Sequence, residues 1–153
     1  MIYPLPTLAA TQSLAEVFAA NVGLLTGQSI HLHGDLGAGK TTFVRFLLQA
    51  LGEQGSIKSP TYGLMEHYSL PGIQVLHMDL YRLADAEELE YLGVRELKTD
   101  NTLLLVEWPE RGVGVLPEAD CVIEIQHTQA QRCADIELKN SNSPLAQLVL
   151  FRQ

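Results

Sequence analysis

The chain has 153 residues, 46% of them apolar and only 18% charged, with a formal net charge of -8 and a pI near 5.0. That length suits one domain over residues 1–153, able to bury a core without disulfide or metal staples, and the composition excludes a disordered chain. The negative charge opposes a free-standing grip on a polyphosphate backbone.

In chain order, Thr11 is placed to cap a helix running to Leu25, with Leu14, Val17, Phe18 and Val22 on one face and Gly27 as its stop. Ile30 to His33 reads as a short strand that runs directly into the glycine-rich GDLGAGKTT. From Lys40 to Leu51, Phe43, Phe46, Leu47 and Ala50 recur at helical spacing, and Gly52 closes that helix. Tyr62 to Ser69 and Ile73 to Asp79 read as strands joined at Pro71-Gly72. Asp85 and Glu88 have capping-box-like spacing before a short acidic helix from Ala86 to Leu92. Thr102 to Glu107, TLLLVE, is short and apolar enough to be a fully buried strand. Asp120 to Gln126 and Arg132 to Leu138 alternate like exposed or edge strands around a turn at Thr128 and Gln129, and Pro144 to Phe151 could close the chain as a helix. Helices mixed with buried strands predict an α/β layered fold whose sheet is mixed parallel and antiparallel.

Gly34-Asp35-Leu36-Gly37-Ala38-Gly39-Lys40-Thr41 fits G-x-x-x-x-G-K-[ST] at every fixed position, between a predicted strand and a predicted helix. Glycines let successive backbone N–H groups turn inward on a phosphate, and the helix adds its positive end. In such a loop Lys40 neutralises β- and γ-phosphate oxygens, Thr41 holds Mg²⁺, and Thr42 is placed to donate to an α-phosphate. The bland alternative, a glycine-rich turn with one surface lysine, explains neither the spacing nor the flanking elements. The loop thus predicts a nucleoside triphosphate or diphosphate with Mg²⁺ as its ligands.

A triphosphate site also needs a carboxylate at a strand tip beside the loop. Glu107 and Asp79 each end a predicted strand, so one can bind Mg²⁺ while the other orients the attacking water, and the sequence does not divide the roles. Ser59-Pro60-Thr61-Tyr62 lies where a mobile hydroxyl could sense a γ-phosphate, or where a plain turn precedes a strand. Arg82 and Arg111 are the arginines closest in sequence to the strand-end acids: either could reach phosphate, or Arg82 pairs with Asp85 or Glu88 and Arg111 is solvated. Trp108 is core or an exposed partner contact, and His31 and His33 share one strand face as sheet residues.

Three further segments accompany the loop: KSPTY (Lys58 to Tyr62), HMDLYRL (His77 to Leu83) and LLVEWPE (Leu104 to Glu110). In this order and spacing the chain resembles the TsaE family, the ATPases of bacterial tRNA threonylcarbamoyladenosine biosynthesis, over roughly residues 5–120. The resemblance implies a P-loop NTPase-like three-layer sandwich. It also implies an ATPase, slow alone, that works with two partner proteins, TsaB and TsaD, on the modification of tRNA position 37, hydrolysis supporting turnover of the partner complex. Carried over by position, Lys40 is the phosphate lysine, Thr41 a Mg²⁺ ligand, Glu107 a second ligand or catalytic acid, Asp79 the acid of DLYRL and Thr61 the switch threonine. Asp35, Leu36, Gly37, Ala38, Gly39 and Thr42 complete the phosphate cradle, and Thr11 and Arg132 fall near the base or ribose. Met78 stands where the family often has Phe, one large apolar side chain for another.

Rival readings are weaker. A guanine-specific switch needs N/T-K-x-D, and the nearest approach, Leu97-Lys98-Thr99-Asp100, lacks the first residue. A small-molecule kinase gathers arginines and a lid, whereas the arginines here are scattered. A non-enzymatic module gated by ATP remains compatible with slow turnover. The uncharged stretch Val17 to Gly34 is broken by Asn21, Thr26, Gln28, Ser29 and two histidines, so no membrane span is expected. The start MIYPLPTLAA has no basic or continuous apolar leader region. Cys121 and Cys133 have no metal-ligand spacing and read as buried thiols. A cytoplasmic location follows as the expectation, with tRNA reached only through partners.

Overall fold

A computed structural model describes residues 1–60 and 62–148. Its seven strands form one sheet in the order β1-β7-β6-β2-β5-β4-β3. β2 (Ser29–His33) lies at the centre, parallel to β5 (Thr102–Glu107) on one side and β6 (Cys121–His127) on the other, and β4 (Ile73–Asp79) is parallel to β5. The flanks are antiparallel: β3 (Met65–Leu70) on β4, β7 (Arg132–Leu138) on β6, and β1 (Ile2–Pro4) on β7. The α/β fold with a mixed sheet is as expected. The four parallel strands all point the same way, so His33, Asp79, Glu107 and His127 end at one edge, where ligands bind in sheets of this kind.

Two helices cover one face of the sheet. α1 (Leu8–Ala19) buries Thr11, Leu14, Ala15 and Phe18, and α3 (Lys40–Leu51) buries Phe43, Val44, Leu47, Leu48 and Leu51. The two meet through Phe18 and Phe43, edge to face with centroids 5.7 Å apart, a contact worth about 0.5–1.5 kcal/mol beyond its buried area. They pack on Ile30, Leu32, Val75, Leu103, Leu105, Ile123 and Ile125. The opposite face of β4 and β5 presents Leu76, Met78, Leu104 and Val106 to Leu83, Leu89, Val94 and Val115. α4 (Glu88–Leu92) and α5 (Val94–Leu97) supply part of this second layer.

Several expected boundaries move, each for a local reason. The first helix is capped by Thr7, whose Oγ1 accepts from the Ala10 N–H at 3.2 Å, while Thr11 lies inside the helix and is buried. It stops at Ala19 because the Asn21 side-chain amide takes the Val17 carbonyl at 2.8 Å, the acceptor that a continuing helix would use, and α2 (Val22–Leu25) restarts after it. The buried stripe of α3 turns toward Val44 and Leu48, leaving Ala50 exposed. β3 begins at Met65, not Tyr62, since Leu64 has φ of 64°, outside the extended region. Asp85 caps the Glu87 N–H at 2.9 Å instead of forming a box with Glu88, and the helix starts at Glu88. In place of the expected terminal helix there is a 3₁₀ turn at Pro144–Gln147 that ends at the extended Leu148, and residues 149–151 of that expected segment lie outside the described residues. Cys121 and Cys133 are both buried thiols, and burial pushes Cys121 up to about 12. Among the described residues no helix is long and apolar enough to cross a membrane.

Candidate functional site

The loop between β2 and α3 begins at Gly34, where only glycine fits. Its φ is +144°, and a Cβ there would lie 2.5 Å from the Ile125 carbonyl oxygen of the neighbouring strand. Gly39, at φ +114°, ends the loop in a left-handed turn, and a Cβ would come 3.4 Å from Arg132 Nη1. Beside the loop, where β2, β4 and β5 end, is a cavity of about 350 Å³ lined by residues 36–42 together with Ser59, Asp79, Tyr81, Arg82, Glu107 and Trp108.

Strand alternation and register assemble the acids. Asp79 and Glu107 are direct partners in the β4–β5 ladder and face the side covered by α3, so two carboxylates stand side by side at the mouth. Both are buried. Glu107 Oε1 accepts from the Thr41 hydroxyl at 2.7 Å, and Glu107 Oε2 lies 2.6 Å from His77 Nε2. Asp79 Oδ1 accepts from the Tyr81 N–H at 3.0 Å and Oδ2 from the Ser59 hydroxyl at 3.1 Å.

Lys40 is 5% exposed. Its Nζ donates to the carbonyls of Gly34 and Asp35 and stands 4.2 Å from the centre of the Trp108 ring. Burial pushes the Lys40 ammonium down, and the carboxylates Glu107 and Asp79 oppose that push. Trp108 reaches the lysine because its backbone is left-handed, with φ of 56°, immediately after β5 ends. Such a conformation in a non-glycine residue costs on the order of 1–3 kcal/mol and marks over-determined sites. Tyr81 packs on Trp108 with centroids 4.9 Å apart, and Arg111 lies 5.6 Å from the Tyr81 ring centre. Arg82 covers Tyr62 at 4.6 Å.

Leu36 through Thr42, Asp79 and Glu107 therefore line one space. Asp35 contributes its carbonyl to Lys40. Thr11 and Arg132 do not line this cavity; Thr11 Oγ1 and Arg132 Nε are buried without a hydrogen-bond partner among the described residues, and Arg132 packs over Gly39. Thr61 lies outside the described residues, although its neighbour Ser59 reaches Asp79. Sequence reasoning passed over His77, whose signal was a single imidazole inside the apolar run IQVLHMD.

The donor set fits a hard divalent cation: one hydroxyl and two carboxylates, all oxygen, with the loop N–H groups and Lys40 beside them for an anion. No nitrogen- or sulfur-rich cluster competes, since among the described residues no group of three or more His, Cys, Asp or Glu gathers as a metal site.

A glycine-rich loop joining the central parallel strand to the helix behind it defines an α/β fold of the P-loop type. The structure titled "Crystal structure of Bacillus subtilus YdiB" shares that fold with a TM-score of 0.74, covering 95% of this chain and 89% of that one at 23% identity. The chain belongs to the TsaE family: the family model described as "Threonylcarbamoyl adenosine biosynthesis protein TsaE" matches residues 5–134. The tRNA threonylcarbamoyladenosine biosynthesis protein TsaE of Haemophilus influenzae is 50% identical over 109 residues, 71% of this chain and 68% of that protein. The protein of the same name from Rickettsia conorii is 36% identical over 146 residues, 94% of this chain and 82% of the other. Membership places the chain in a family of tRNA threonylcarbamoyladenosine biosynthesis.

Proposed function

We propose that this chain is a Mg²⁺-dependent ATPase that acts with TsaB and TsaD proteins in modifying tRNA position 37, its hydrolysis supporting turnover of their complex. The observation that carries the reading is the contact of Thr41, in the first turn of α3, with Glu107 at the end of β5, beside the buried Lys40. A phosphate-binding loop and a strand-end acid must meet in this way for a nucleotide's phosphates and its cation to share one space.

The contacts support different roles for the two acids. Glu107, on the Thr41 hydroxyl, would take the cation side, and Asp79, which accepts from Ser59, would orient water on the side of the KSPTY segment. Mg²⁺ when bound supplies positive charge against phosphate oxygens. Lys40 exchanges the Gly34 and Asp35 carbonyls for phosphate oxygens, and Trp108 with Tyr81 screens the lysine from water. ATP and ADP are the expected nucleotides; the sequence carries Leu97-Lys98-Thr99-Asp100 in place of the N/T-K-x-D segment that reads guanine, which favours them over GTP.

Phosphate release from ATP, measured for the chain alone and with TsaB and TsaD present, tests the proposal. Slow hydrolysis alone that rises severalfold with the partners is expected, and a folded Lys40→Ala variant should lose about tenfold or more of turnover or nucleotide affinity. Equal nucleotide affinity and turnover in Lys40→Ala and wild type would overturn the reading.

A further inference from the structure

His77 is 0% exposed in the middle of β4, where its neighbours Val75, Leu76 and Met78 are all buried and apolar. An aliphatic side chain would be the cheaper occupant, because a buried imidazole forfeits hydration and needs a partner in return. It has one partner, Glu107 Oε2 at 2.6 Å, and Nδ1 has none among the described residues. Alternation along β4 explains the reach: His77 faces the same side as Asp79 and stands opposite Leu105, two residues before Glu107.

We propose that His77 is a positioning residue for Glu107, its Nε2–H fixing the orientation of the carboxylate that faces Thr41. The inference deepens the ATPase reading and rests on it. The last torsion of a glutamate is broad and selects no single orientation by itself. Here each carboxylate oxygen has its own donor, Thr41 from α3 and His77 from β4, so two elements clamp the group in one plane. Outer partners of this kind are what set the direction in which a carboxylate offers its remaining lone pairs to a cation. The partnerless Nδ1 fits the neutral ring with its proton on Nε2, because an Nδ1–H would be a buried donor with nothing to accept it.

Two measurements on the complete chain test this. The ¹⁵N spectrum of the imidazoles in protein free of nucleotide and metal should show His77 protonated at Nε2 and bare at Nδ1; an Nδ1–H tautomer would overturn the proposal. Separately, hydrolysis is titrated with Mg²⁺ for wild type, His77→Leu and His77→Gln, the glutamine amide offering a donor near the Nε2 position. His77→Leu should need about tenfold more Mg²⁺ for half-maximal rate, and His77→Gln should stay within about threefold of wild type. A folded His77→Leu with the wild-type Mg²⁺ requirement, or a folded His77→Gln as impaired as His77→Leu, would count against a positioning role. Should His77→Leu fail to fold, the glutamine variant and the tautomer decide. A wild-type chain that hydrolyses no ATP would overturn the ATPase reading instead, leaving the spectrum to judge the His77–Glu107 bond.

Discussion

His31 shows what a single buried imidazole does to pH dependence. It sits on β2 facing Val113, Leu116 and Pro117 across a groove, and burial, with the charge of His33 second, lowers it to about 4, although the Pro117 carbonyl and Asp120 oppose the shift. The ring is thus neutral in the fold, whereas the unfolded chain protonates it near 6.5. Stability from this group is complete above the unfolded value, falls as pH drops from there toward the folded value, and is lost below both. The expected loss is on the order of 2–3 kcal/mol. Denaturant unfolding of wild type and His31→Gln at about pH 7 and about pH 4.5 isolates it: wild type should lose about 2 kcal/mol more than the variant on acidification. Identical acid sensitivity would show that the groove does not hold His31 neutral.

Among elements, the phosphate-loop segment was the most legible in the sequence, because glycine, lysine and threonine at fixed spacing are local chemistry. The structure brings Lys40, Thr41, Asp79 and Glu107 to one cavity. What sequence could not carry was pairing. The neighbouring of Asp79 and Glu107 is set by the β4–β5 register, and the His77 clamp by alternation within it. β1 escaped notice because three residues ending in proline have no period, and become a strand only through β7. The left-handed turn at Trp108 also has no signal, since tryptophan is not a residue that favours it. One test belongs at this scale. Gly34→Ala must both adopt a strained φ and clear the Ile125 carbonyl, so it should cost about 2 kcal/mol or more in denaturant unfolding. Gly37→Ala, at φ +75° with open space around its Cβ, should cost about 1 kcal/mol. Equal costs would mean that the loop does not press on β6.

The whole molecule carries a net charge of -8, and its few cations are largely engaged. Arg95 donates to the Gly114 and Val115 carbonyls, Lys98 to the Gly27 carbonyl, Lys139 pairs with Glu137 at 2.7 Å, and Arg111 lies over Tyr81. With those cations engaged and acids in excess, the chain alone should bind tRNA weakly near physiological salt, and association should come through the partners proposed above. Non-specific binding typically sits at roughly 10⁻⁴–10⁻⁶ M. A low-micromolar complex of the isolated chain with tRNA at about 150 mM salt, with a steep salt slope, would contradict this expectation.

The order of strands in the sheet also has a consequence for synthesis on the ribosome. Among the described residues strand β1 pairs only with β7, joining Ile2 to Asp135 and Pro4 to Cys133. β1 emerges before the other six strands of the sheet, yet its neighbour is made last of them, a delay of roughly ten seconds or more at ordinary translation rates. Central β2 waits too, since both of its neighbours, β5 and β6, are made later. Consecutive strands pair in the β3–β4 and β6–β7 hairpins, which can form as they appear, and in the parallel β4–β5 pair, which must first close a longer crossover. A nascent chain that stops short of β7 leaves β1 unpaired and an open edge on β6, a surface that chaperones recognise and that other chains can join.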